Sequence, residues 1–175
     1  MSKIFGGFLL IFLEYNITKG NIVLGLLPDF VGYICIVAGL CDVVTDGAYF
    51  RKARLLAIIL SFYSAVVYVL NLLGIAGKWQ ILSWALSIIT TLATLGISYL
   101  IVKGLPEAEQ KYNAKLSSKS IRICWMIMAV FQVVMILALW VPVLVLLMVP
   151  NFLATIVFLV MFFQACKVYG TIPGK

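Results

Sequence analysis

The residues able to do chemistry in this chain are few and unevenly placed. Of six acidic residues, four (Glu14, Asp29, Asp42 and Asp46) fall in the first 46 positions, and histidine is absent. The commonest general base and the commonest metal ligand are therefore both missing. Glu14 and Asp42 lie within or at the end of apolar runs, where an ionised carboxylate is costly and marks an ion or solute path by default. Two readings of Asp42 stay open: an ion pair with Arg51, Lys52 or Arg54, or a role in transport or coupling. Asp46 is expected in the inner interface. Further along, Ser83, Ser87, Thr90, Thr91, Thr94 and Ser98 follow one helical face. Such a stripe either knits helices together through hydroxyl hydrogen bonds or lines a hydrated path. Glu14, Asp42, Ser87, Thr91 and Thr94 form the candidate ion or solute path.

Enzyme signatures are lacking. Cys35, Cys41, Cys124 and Cys166 have no CxxC or metal-ligand spacing and read as small buried hydrophobes. There is no P-loop, GxSxG or HExxH. Asp42-x3-Asp46-Gly47 shares a fragment with the CDP-alcohol phosphotransferase signature. The first spacing is wrong, however, Ala53-Arg54 stands too far away, and a second aspartate pair is missing. No catalysis, cofactor or metal is expected.

The elements that must position these residues are membrane helices. Residues AVILMFWYC make up 65% of the 175 positions and charged residues only 11%. Soluble domains are nearer half apolar and a quarter charged, and a chain this short cannot hide the excess from water. Against about 20 helical residues per bilayer crossing, the apolar blocks predict six spans in one domain, 1–175. They are Lys3–Lys19 (a retained first helix), Pro28–Asp46, Leu55–Leu73, Ile81–Val102, Ile121–Trp140 and a last one ending near Cys166. Between the first two, residues 20–28 read as a short surface or re-entrant segment. Asp29, after Pro28, reads as a helix cap. Residues 106–116 read as an amphipathic helix on the inner membrane surface. Its apolar face is Leu105, Ala108, Tyr112 and Leu116, Glu107 pairs with Lys111, and the lysines lie near anionic lipid.

Charge orients this bundle. The net charge is +7, but the positives lie between apolar blocks, a topology signal rather than a nucleic-acid face. Eleven of the 13 basic residues fall on one side of a six-span arrangement, all but Lys19 and Lys78. Both termini are thus expected in the cytoplasm. Trp79, Trp84, Trp125 and Trp140 fall near the predicted interfaces. Gly25, Gly32 and Gly39 recur every seven residues. They predict a helix-packing face, because small residues let backbones approach closely.

The run Leu27-Pro28-Asp29-Phe30-Val31-Gly32-Tyr33-Ile34, with Gly39-Leu40 after it, resembles the N-terminal region of small uncharacterised bacterial integral membrane proteins. That resemblance implies an inner-membrane setting and no activity. Size and six-span topology are also similar to the substrate-binding subunits of energy-coupling-factor vitamin transporters, an analogy of topology. Two functions are expected from the residues: transport of a small solute or ion, alone or as the membrane subunit of a transporter, or a non-catalytic accessory, assembly or immunity-type subunit. In the second, the glycine face would bind another membrane protein or a second copy.

Overall fold

The structure, a computed structural model, describes residues 1–12, 16–19, 22–25, 28–72, 80–137 and 146–172. Within them the chain forms six helices and one short antiparallel hairpin: α1 (Ser2–Phe12), β1 (Asn16–Lys19), β2 (Ile22–Gly25), α2 (Asp29–Cys41), α3 (Ala48–Leu72), α4 (Gln80–Tyr112), α5 (Ser118–Leu137) and α6 (Met148–Gly170). A 3₁₀ turn, Val44–Asp46, joins α2 to α3. Glu14, Lys78, Trp79, Trp140 and Pro142 lie outside the described residues.

Four helices, α3 to α6, are long and apolar enough to cross a membrane. The other two are shorter than expected. At 1.5 Å per residue α1 reaches about 16 Å and α2 about 20 Å, against a hydrocarbon core of about 30 Å. Of the expected first span, Lys3–Lys19, the residues up to Phe12 are helical and 13–15 lie outside the described residues. Its last four residues are a strand, with Asn16 paired to Gly25 and Lys19 to Ile22. The expected surface segment at 20–28 supplies the other strand. Ile17-Thr18 and Ile22-Val23 are β-branched pairs on either side of Gly20-Asn21. Their stiff side chains favour extended backbone, and Gly-Asn is a hairpin dipeptide. Gly25 is accordingly a strand residue and lies on no helix.

Each helix packs on the next in sequence, and α6 returns to α1, so the six close into a ring. Phe8, Phe12, Phe158 and Phe162 interlock where α1 meets α6, with ring centroids 5.3 to 6.2 Å apart. Glycine sets the α1–α2 contact. A Cβ on Gly7 would lie 2.6 Å from the Gly32 carbonyl, and one on Gly39 would lie 2.7 Å from the Ile4 amide nitrogen. Nothing bulkier than glycine fits there without parting the backbones.

The long polar segment departs from expectation. Helix α4 runs unbroken through Pro106 to Tyr112, about 50 Å at 1.5 Å per residue, so its end projects beyond any bilayer core. Pro106 gives up one backbone hydrogen bond. The turn persists because its apolar face is held by packing. Leu105, Ala108 and Leu116 are buried in the molecule and Tyr112 packs against that core, so this face is not laid on a lipid surface. Asn113 then takes the left-handed conformation (φ 50°), and the Ala114 amide donates to the Glu109 carbonyl at 3.2 Å. Together these form a Schellman stop for the helix.

Candidate functional site

Two polar groupings stand out, one toward the end of the ring where α1 and α5 finish and α6 begins, and one at the opposite, basic end.

The first is a cavity of about 310 Å³ lined from α1 by Ile11 and Phe12, from α4 by Ser87, Ile88, Thr90, Thr91 and Thr94, from α5 by Gln132, Met135 and Ile136, and from α6 by Asn151. Three of the five expected path residues, Ser87, Thr91 and Thr94, therefore share one space. The threonine hydroxyl protons are committed. Thr90, Thr91 and Thr94 donate to the carbonyls of Leu86, Ser87 and Thr90 at 2.8 to 3.0 Å, the four-residue back-bond that helical threonines favour. Their oxygens keep lone pairs, so the wall offers acceptors. Tyr33, buried on α2, meets the Thr94 hydroxyl at 2.6 Å and fixes that side of the cavity. On α6 the Asn151 carbonyl takes the Thr155 hydroxyl at 2.9 Å, whereas the buried Asn151 Oδ1 has no hydrogen-bond partner among the described residues. An unsatisfied buried acceptor costs about 1–3 kcal/mol. No charged residue lines this space among the described residues. Ser98, the last of the stripe, instead accepts the Trp125 indole N–H at 2.8 Å and ties α4 to α5.

The second is built around Asp46. Its side chain is 1% exposed and takes Lys111 Nζ at 2.7 Å, the Tyr112 hydroxyl at 2.7 Å and the Tyr169 hydroxyl. Lys111 also reaches the Thr45 carbonyl at 3.1 Å, and the Tyr112 and Tyr169 rings meet edge to face at 5.9 Å. Burial opposes the charged carboxylate. The hydrogen bonds from Lys111, Tyr169 and Tyr112 outweigh it and hold the carboxyl below its ordinary value. Both carboxylate oxygens are engaged, so the arrangement clasps the α2–α3 turn to α4 and α6.

Asp42 belongs to neither place. It sits just after α2 and pairs with Lys3 Nζ at 2.9 Å, with side chains 50% and 59% exposed respectively. The counter-ion expected from Arg51, Lys52 or Arg54 is supplied by α1 instead. Lys111 goes to Asp46 and not to Glu107, whose carboxylate lies against Gly47. Asp29 is the first residue of α2, with Pro28 in the N-cap place, so its charge lies in the first turn, where the helix dipole favours an acid. Among the described residues no group of acids and cysteines could hold a metal ion.

Gln132 and Asn151 are visible in the sequence as uncharged polar residues in apolar helices, but nothing in their spacing aligns them with the α4 stripe. Tyr33 gives no signal of its role either: its contact with Thr94 spans 61 residues. Comparisons with protein-family models, characterised proteins and solved structures found no match to this chain.

Proposed function

We propose that this chain is a multi-pass membrane protein that binds a small uncharged polar solute and passes it across the bilayer, alone or as the membrane subunit of a transporter. One observation carries the reading: a cavity among apolar helices is lined by threonine oxygens and amides, with a buried carbonyl oxygen on Asn151 that no described group satisfies. A dry packing seam would pair that oxygen or replace it with carbon. A solute bearing hydrogen-bond donors, such as a polyol or a primary amide, pairs it and the threonine oxygens together. The described lining is uncharged, which favours an uncharged solute over a bare ion.

The proposed topology has six passes. Helices α1 and α2 form the first two, each completed by a strand of the hairpin. Strands within hydrocarbon need protein cover for their free edges, and β2 packs on α3. Lys3, Lys103, Lys111 and Lys167 lie at one end of the ring with Asp42, Tyr49, Asp46 and the end of α6. By the positive-inside rule that end is cytoplasmic. The bacterial inner membrane is proposed from the resemblance around Pro28–Ile34. An accessory role through the glycine face is less well supported, because Gly32 and Gly39 are spent inside the α1–α2 pair.

Liposomes containing the protein test the reading. With a panel of small polyols, amides and amino alcohols, at least one solute should enter faster than into empty vesicles. Asn151→Leu should remove that flux without lowering the melting temperature, since it deletes an unsatisfied group. Flux unchanged in Asn151→Leu, or absent for the whole panel, would contradict it.

A further inference from the structure

A second cavity, of about 560 Å³, opens between the projecting end of α4 and the start of α5. Four cations line it: Lys103, Lys115, Lys119 and Arg122. Its one acid among the described residues, Glu109, is committed to the first turn of α5, accepting the Ser118 amide at 3.2 Å and the Ser118 hydroxyl. The ion pairs among the described residues are Lys3–Asp42 and Lys111–Asp46, so no carboxylate answers any of the four cations. Lys103 lies over the Tyr49 and Tyr99 rings, at 4.8 and 5.5 Å. That contact holds its ammonium at the cavity wall without neutralising it. The N-terminal end of the 20-residue α5 adds the positive pole of its dipole. Like charges gathered this closely repel unless an anion enters.

The surroundings identify the anion. The cavity lies where the apolar parts of α4 and α5 give way to charge. The α5 face bearing Lys119 and Arg122 continues as Met126, Val130 and Val133, which are 46%, 63% and 45% exposed. On α4, one turn before the cavity residue Tyr99, Gly96 has nothing within 4 Å of where a Cβ would lie. A free phosphate would use the cations and leave that apolar track idle. A phospholipid uses both. The geometry points to a binding site for an anionic phospholipid, its phosphate among Lys103, Lys119 and Arg122 and an acyl chain along Met126, Val130 and Val133. This site is separate from the solute cavity, and neither reading depends on the other.

Binding to the detergent-purified protein is measured by native mass spectrometry and thermal melting with dioleoyl phosphatidylglycerol, dioleoyl phosphatidylcholine or inorganic phosphate. Saturating phosphatidylglycerol should raise the melting temperature by about 5 °C or more. Phosphatidylcholine and phosphate should each give much less. Lys119→Gln with Arg122→Gln should weaken phosphatidylglycerol binding by about tenfold or more. Arg51→Gln with Arg54→Gln removes the same charge elsewhere at the basic end and should leave binding intact. Equal loss in both double variants would reduce the site to bulk surface charge. Equal binding of phosphatidylcholine, or a phosphate shift as large as the lipid's, would likewise overturn it.

Discussion

Asp42 and Asp46 are four positions apart and chemically alike, yet their surroundings give them opposite weight. Asp42 and Lys3 are both half-exposed, and a pair of that kind contributes less than about 1 kcal/mol. Asp42→Asn should therefore leave melting nearly unchanged, with or without Arg51 or Arg54. Asp46 is buried against three donors, two of them tyrosine hydroxyls. Tyr169→Phe removes one hydrogen bond to a charged group and should cost about 1.5–3 kcal/mol. The sign of the pH dependence follows from the lowered pKa of Asp46. Its contribution is fully present above the unfolded carboxyl value of about 3.9 and is lost as pH falls through the lower folded value. The melting advantage of the wild type over Asp46→Asn should hold from neutral pH to about pH 5 and shrink below about pH 4. A gap that does not narrow in acid would contradict the charged clasp. Sequence alone misranks the two aspartates, because what separates them is contributed by Tyr112 and Tyr169, 66 and 123 residues away.

At the scale of elements, adjacent glycines on α1 separate propensity from packing. A Cβ on Gly6 meets nothing within 4 Å, whereas one on Gly7 meets the Gly32 carbonyl at 2.6 Å. Gly6→Ala should stabilise by up to about 1 kcal/mol through helix propensity. Gly7→Ala should destabilise by about 1–3 kcal/mol, since two backbones must part. Melting of the two variants checks this, and the same sign for both would mean that α1 and α2 do not pack as described. The close approach was legible in the spacing of Gly32 and Gly39. The limits of α1 were not, because apolarity alone does not distinguish a helix from a helix followed by a strand. The signal that does, Gly20-Asn21 between β-branched pairs, is short and easily read as a break within a membrane segment. Pro106 misleads in the opposite way. Proline reads as a helix start, but the burial of Leu105 and Ala108 carries α4 straight through it.

At the scale of the molecule, composition marks helices apolar and long enough to cross a membrane, and α3, α5 and α6 each fall on an expected span, although α3 begins at Ala48 and not Leu55, and α6 runs past Cys166 to Gly170. Ring closure is not legible, because α6 meets α1 through aromatic side chains whose sequence pattern is merely apolar. The solute cavity follows from that closure: α4 supplies the hydroxyls, and only the ring brings Gln132 and Asn151 to face them. Whether this cavity is wetted from the membrane exterior is the claim on which the proposed function stands. Thiol labelling measures it directly. The four native cysteines are replaced by alanine, single cysteines are placed at Thr91 in the cavity and at Val130 on the exposed apolar side of α5, and a membrane-impermeant methanethiosulfonate is added. A thiolate forms only where water reaches it. Thr91→Cys should react, should slow when the transported solute is present, and should far outpace Val130→Cys. If Thr91→Cys is as inert as Val130→Cys, the hydroxyl stripe of α4 is a dry packing seam and the solute path does not exist.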